Sequence, residues 1–310
     1  MSPTIVPARL YAFARTAVLV VCAAGAPGCE VNLNTEGLTS KDTKTFSITE
    51  RPDLTLETFD GSIEIHSWDR NEVEVEIEKR AMEQSLIDQI TVEAEQQGDR
   101  IVVRVKGPAG RESHGLTLGV HISPTARMRV AVPRSLALQV RTEDGSIRAE
   151  NLEGKLVLRT GDGSVTAERL SGDLEVRTGD GSIRVDKADG RLDLETDDGS
   201  VTVDARPTVL KVKTGDGSIR LQVPPDTVMD DGWELTTGDG SVTLTLPAAF
   251  SAEIDAETRD GAVRSSHPAL RINEHGEGRG ESRGELRTKM GEGGRLLRVR
   301  TGDGTIRFES

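Results

Sequence analysis

Thr-Gly-Asp-Gly-Ser-Val, residues 160–165, recurs with small changes from one end of the 310-residue chain to the other. Close copies begin at Thr58, Thr142, Thr178, Thr196, Thr214, Thr237, Thr258 and Thr301. Between Asp144, Asp162, Asp180, Asp198 and Asp216 the step is 18 residues each time, which marks a repeat array. A unit this short has no core of its own and must bury its apolar face against its neighbours. The expected architecture is therefore a stack of coils, with its chemistry spread along a surface.

One period reads Asp173-Leu-Glu-Val-Arg-Thr178, Gly179-Asp-Gly-Ser182, Ile183-Arg-Val-Asp186. Apolar and polar residues alternate on both sides of the Gly-Asp-Gly, which is strand period. Leu174, Val176, Ile183 and Val185 fall on one face, and Glu175, Arg177, Arg184 and Asp186 on the other. The pattern repeats at Leu156, Leu158, Val165 and Ala167, and at Leu210, Val212, Ile219 and Leu221. A second corner closes each coil at Asn151-Leu-Glu-Gly154, Arg169-Leu-Ser-Gly172 and Lys187-Ala-Asp-Gly190. About five inward side chains per coil, at roughly 1.5–3 kcal/mol each, do not offset the ordering of a coil by themselves. Stacking is obligatory.

Nine Asp-Gly pairs mark the first corner: Asp60-Gly61, Asp144-Gly145, Asp162-Gly163, Asp180-Gly181, Asp198-Gly199, Asp216-Gly217, Asp239-Gly240, Asp260-Gly261 and Asp303-Gly304. They read as structural turn residues, with Gly supplying positive backbone dihedrals and Asp bonding the amides that follow it. The outward residues argue that the coils stack in parallel. Arg148, Thr166, Arg184, Thr202, Arg220, Thr243 and Arg264 alternate charge with hydroxyl. On parallel coils they would stand about 4.8 Å apart. Two unit charges at that distance repel by about 0.9 kcal/mol in bulk water, and alternation relieves the row.

Residues 1–28 read as a lipoprotein signal peptide. Arg9 and Arg15 precede the short apolar run Ala17-Val-Leu-Val-Val-Cys-Ala-Ala24, which is too short to span a membrane. The ending Ala26-Pro-Gly-Cys29 is similar to a lipobox and makes Cys29 the expected lipidation residue, although Ala26 and Pro27 depart from the usual pattern. The rival is ordinary cleavage after Ala26. With Cys22 removed and Cys29 lipidated, the exported chain has no disulfide. Glu30 rather than Asp after the cysteine points to the outer membrane. Loss of the two arginines takes the formal charge from -13 to -15, which argues against nucleic acid as a partner. Five Phe, two Trp and one Tyr leave neither a base-stacking platform nor an aromatic sugar groove.

Along the chain, 29–45 reads as a polar tether, 46–135 as an N-terminal β part of the solenoid and 136–250 as the regular 18-residue-repeat array. Residues 251–310 read as C-terminal coils with a long Gly/Glu/Arg-rich loop at 265–295. One or two helical turns are expected within 81–90, a Gly/Pro/His-containing excursion at Gly107–Gly115 and a longer corner at Pro224–Gly232. Three stretches carry a family resemblance over residues 50–310. They are Leu54-Thr-Leu-Glu-Thr-Phe-Asp-Gly-Ser-Ile-Glu-Ile-His-Ser-Trp-Asp69, the repeated Thr-Gly-Asp-Gly-Ser units, and Gly291-Glu-Gly-Gly-Arg-Leu-Leu-Arg-Val-Arg-Thr-Gly-Asp-Gly-Thr-Ile-Arg-Phe308. The chain resembles the bacterial putative-adhesin domain family with β-strand repeats, numbered 4097 among domains of unknown function. That resemblance implies an all-β, right-handed parallel β-helix or related β-solenoid at the cell envelope, with no catalytic residues to carry over.

Two other readings compete. A polysaccharide-acting β-helix enzyme would use clustered acids such as Asp162, Asp180 and Asp198, but these sit in Gly-flanked corners rather than on strand faces. A calcium-binding β-roll also has 18-residue coils, yet its Gly-Gly-x-Gly-x-Asp unit occurs twice per coil, whereas Gly-Asp-Gly occurs here once. His66, His114, His121, His267 and His275 have no metal-ligand spacing, and Trp68 and Trp233 read as plugs of the core. The expectation is a non-enzymatic, lipid-anchored, exported envelope protein without cofactor or metal. Its partners would be the membrane, through the anchor, and an envelope protein or glycan.

Overall fold

The structure is a computed structural model that describes residues 37–108, 123–270 and 280–310, without side chains for 280–283. The signal peptide, Cys29, His114, His121, His275 and the excursion from residue 109 onward lie outside the described residues.

Period-2 alternation produces twenty-one strands, with one short helix among the described residues. The first half comprises β1 (Leu38–Ser47), β2 (Asp53–Thr58), β3 (Ile63–Trp68), β4 (Glu72–Ala81), α1 (Gln84–Gln89), β5 (Thr91–Gln97), β6 (Arg100–Lys106), β7 (Thr125–Pro133), β8 (Ser135–Arg141), β9 (Ile147–Glu150) and β10 (Glu153–Arg159). The second comprises β11 (Val165–Glu168), β12 (Ser171–Thr178), β13 (Ile183–Thr196), β14 (Val201–Thr214), β15 (Ile219–Gln222), β16 (Trp233–Thr237), β17 (Val242–Thr245), β18 (Ala252–Ser265), β19 (Gly280–Met290), β20 (Leu296–Thr301) and β21 (Ile306–Glu309). The fold is all-β and solenoidal.

Each coil contributes one strand segment to each of two parallel ladders. On the first, Leu138 faces Leu156, Leu156 faces Leu174, Leu174 faces Leu192 and Leu192 faces Leu210. On the second, Ile147, Val165, Ile183, Val201 and Ile219 align in the same way. The inward side chains of all coils merge into one continuous core from Ile48 to Phe308. That merger offsets the ordering of coils that could not fold singly.

The ends depart from sequence order. At the N-terminal end, the coil β2/β3 lies between β8/β9 and the coil β6/β7, which comes later in the chain. Antiparallel strands then close the stack, β5 on β6 and β4 with β1 on β7. At the C-terminal end, β20/β21 inserts between β16/β17 and the two halves of β18. The last coil of the chain is thus not the last of the stack; β18 is, and β19 covers it antiparallel.

Two segment boundaries need correction. The segment read as a tether to residue 45 is strand from Leu38, because Leu38–Ser47 pairs residue for residue with Ala81–Glu72. Its polar composition reflects an edge strand rather than a linker. The segment 265–295 read as a loop contains β19, which is held by the β18 backbone and by buried Met290.

Candidate interaction surface

The repeated corner is organised by threonine. Alternation that points Leu174 and Val176 inward points Thr178 inward too, and all nine corner threonines are buried. A buried hydroxyl needs partners. Thr196 Oγ1 shares its proton between Gly181 O and Gly179 O of the adjoining coil, at 2.9 and 2.8 Å, and accepts from Gly199 N of its own corner at 3.2 Å. The donation recurs from Thr160 to Gly145, Thr178 to Gly163, Thr214 to Gly199 and Thr237 to Gly217. It continues through the reordered end, from Thr301 to Gly240 and from Thr258 to Gly304. Thr58, at the other end, reaches only Ala126 O at 3.5 Å.

This replaces the expected turn chemistry. Of the nine corner glycines only Gly61 has a positive φ, of 132°. The others are required by close approach, since a Cβ on Gly181 would lie 2.0 Å from Gly163 O. Asp144, Asp162, Asp180, Asp198, Asp216, Asp239, Asp260 and Asp303 are exposed, and among the described residues their carboxylates make no hydrogen bond or ion pair. These aspartates are exposed at the surface while threonine bonds the backbone. The corner order Gly61, Gly145, Gly163, Gly181, Gly199, Gly217, Gly240, Gly304, Gly261 sets the nine aspartates along one edge. Positive φ is found instead at the second corner, at Asn151, Arg169 and Lys187 near 55° and at Gly154, Gly172 and Gly190.

The outer faces carry charges in rows. On the second ladder, Arg129 bridges Glu76 at 3.1 Å and Glu64 at 3.7 Å, and Arg148 pairs with Glu150 and Glu168. The alternation then runs Arg148, Thr166, Arg184, Thr202, Arg220, Thr243 as expected, but the next member is Arg307, with Arg264 beyond it. On the first ladder, Arg177 bridges Asp193 and Glu195, and Lys213 holds the Glu195 carboxyl below its ordinary range through a 2.8 Å bond. At the C-terminal end, Asp255 accepts from Arg300 at 2.6 Å and from Arg287 at 3.3 Å, with Arg298 at 3.5 Å. The Arg300 bond holds the Asp255 carboxyl below its usual value, against the opposing effect of burial, with Arg287 assisting. These pairs tie three strands of the reordered end together.

The rows are interrupted by an open polar depression of about 640 Å³ at the second corner. Its lining includes Gly172 and Gly190, Asp173 and Arg191, Asp230 and Asp231 of the long corner Pro224–Gly232, and Arg295. No three His, Cys, Asp or Glu residues among the described ones come together as a metal-holding group.

A sequence profile matches residues 30–309, nearly the whole chain. The chain belongs to the Toastrack DUF4097 family. No functionally curated protein matches it. Similar solved structures include a putative adhesin from Bacteroides fragilis, at 9% identity and a TM-score of 0.39 over 87% of this chain and 97% of that one. A putative lipid binding protein from Parabacteroides distasonis has 11% identity and a TM-score of 0.40, over 87% and 97%. A putative cell adhesion protein from Clostridium sporogenes has 15% identity and a TM-score of 0.26, over 87% and 99%.

In this Toastrack chain the remaining singled-out residues have structural partners. His267 is buried; its Nε2 donates to Leu246 O and Pro247 O, while Nδ1 accepts from Ala269 N at 3.2 Å. Trp233 lies in the core against Phe250, ring centroids 5.6 Å apart. Trp68 is half-buried under the Arg70 guanidinium and donates to Glu72 O. His66 sits on an outer row beside Glu150. The corner threonines and the long-corner depression went unassigned from sequence. Parity alone, carried two residues past Val176, would have found the threonines.

Proposed function

We propose that this protein is a non-enzymatic, lipid-anchored β-solenoid of the cell envelope that presents its lateral faces to a partner in adhesion-like or scaffold contacts. The observation that carries the reading is the layout of its charged groups. They run in rows over a continuous core, where an enzyme would gather them around one reacting atom. Family membership supports the same class. Gly28-Cys29 supplies the anchor, and the eight residues between Cys29 and Leu38 reach at most about 28 Å, which holds the N-terminal end of the stack near the bilayer. Glu30 favours the outer membrane. Right-handed coils of about 18 residues complete the proposal, supported by the parallel register steps and the strong preference of parallel crossovers for that hand.

The test has two parts. Labelled palmitate should enter the wild-type protein and not Cys29→Ala, and the wild type alone should partition into detergent; a water-soluble chain beginning at Pro27 would sink the anchor. Cross-linking of native envelopes should attach a reproducible partner to strand faces, and turnover of a polysaccharide lost on Asp180→Asn would sink the non-enzymatic reading.

A further inference from the structure

The second corner carries a row of backbone acceptors. Leu136, Gly154, Gly172 and Gly190 stand in register on successive coils. A Cβ added to Gly154, Gly172 or Gly190 would lie 2.1, 2.4 or 2.3 Å from the carbonyl oxygen of the coil below, those of Leu136, Gly154 and Gly172. Only glycine fits beside these oxygens, each of which also lies in the parallel backbone ladder.

Over Gly154 the space is already taken by this chain's own Arg51, whose Nη2 donates to Leu136 O at 2.9 Å. A side chain at Gly154 would collide with that guanidinium at 1.9 Å. Gly172 and Gly190 instead line the depression. Asp230 and Asp231 line it as well, and neither carboxylate has a cationic partner among the described residues. Asp231 Oδ1 accepts only from Gly232 N, at 2.7 Å. Arg191, also at the edge, is turned to Asp173 at 3.9 Å.

We infer that this depression docks the guanidinium or ammonium side chain of a polypeptide partner, as Arg51 is docked over Gly154. Carbonyl oxygens below and carboxylates beside it supply acceptors for a fork of N–H donors. Arg295 in the lining supplies a donor for the partner's peptide carbonyls, which a bare metal ion would not use. The inference rests on reading the lateral surface as a partner-binding face, and it names the chemistry of that partner. A net charge of -13 adds long-range attraction for a cationic segment.

The probe is acetyl-Gly-Arg-Gly-amide titrated into the full exported chain and followed by amide chemical shifts. The Arg peptide should move Gly172, Gly190 and Gly232, and its norleucine counterpart should not. Asp230→Asn combined with Asp231→Asn keeps the acceptor for Gly232 N and should weaken binding by about tenfold or more. Arg51→Ala should add a second set of shifts at Gly154. Equal shifts from the norleucine peptide, the same shifts from calcium chloride, an affinity unchanged in the double variant, or no new site in Arg51→Ala would each overturn the proposal. Envelope cross-links on other faces without peptide shifts would sink the docking site alone; peptide shifts without any cross-linked partner would sink the functional reading alone.

Discussion

The regular middle of the molecule, residues 135–222, and its two ends are written in the same repeat, yet they are held by different means. In the middle each corner seats a buried threonine on the glycine carbonyl of the coil beside it, and chain order equals stack order. At the ends a coil is inserted out of order and antiparallel strands cover the last ladder positions. A stack of identical parallel coils leaves open edges at both ends, which invite further pairing. The ends give up the repeat in order to stop it.

The strongest way to break the middle is steric. Gly181→Ala places a methyl 2.0 Å from the backbone oxygen of Gly163, which cannot move without moving the coil. The expected loss is about 4 kcal/mol or more, with cooperative unfolding of the array in a denaturant titration. Gly98→Ala, in the β5–β6 hairpin, meets no atom within 4 Å and has only its φ of 62° against it, so about 1 kcal/mol is expected there. Equal losses at the two positions would mean that close approach does not set the corner.

Next comes the threonine bond. Thr196→Val keeps the shape but leaves Gly199 N and Gly181 O without their hydroxyl, for an expected loss of about 1–3 kcal/mol. Thr58→Val, at the end, removes only a 3.5 Å contact and should cost under about 1 kcal/mol. Paired melting curves compare them, and a costlier Thr58 variant would reverse the contrast between middle and end.

The C-terminal end offers a pH test. The Asp255 carboxyl is held low by Arg300 and Arg287, so its contribution is present above the unfolded-state value near about 3.9 and is lost as pH falls through the lower folded value. Asp255→Asn should cost about 1–3 kcal/mol at pH 7 and progressively less as the solution is acidified below about pH 4. Denaturant midpoints at pH 7 and pH 3 read the difference; a gap that widens in acid would refute the assignment.

Strand parity made most of the middle legible: Leu174 and Val176 in, Glu175 and Arg177 out, with the first two buried and the second two half-buried in the structure. Parity also held the threonines, but a hydroxyl between Leu-Val strands and Gly-Asp-Gly reads locally as turn chemistry. The reason for the corner glycines lies in the adjoining coil's carbonyl, which no single period contains. Stack order at the ends was illegible for a related cause. Ile254 and Ala256 of β18 and Leu297 and Val299 of β20 show the same inward pattern, and nothing local says which faces Leu235. β1 and β19 are mostly polar, with only Leu38 and Phe46 in one and Leu286 and Met290 in the other, so composition made them a tether and a loop while backbone pairing made them caps. The depression depends on the long corner meeting the glycines of other coils, a tertiary coincidence.

The smallest effect tests the outward rows. Thr202 stands in register with Arg184 on one side and Arg220 on the other, all on the second ladder. Thr202→Arg would create two like-charge neighbours about 4.8 Å apart, each repelling by about 0.9 kcal/mol in bulk water and less with salt. A net loss on the order of 1 kcal/mol is expected at low ionic strength, fading toward zero as salt is added. Val201→Asp, one residue away and fully buried, is the control: it places a carboxylate in the core and should lose several kcal/mol at any salt concentration. The reordered end supplies a natural counterpart, since Arg307 and Arg264 already face each other there. If Thr202→Arg is neutral at low salt, the alternation of Arg and Thr reflects duplication of a two-coil unit rather than relief of repulsion.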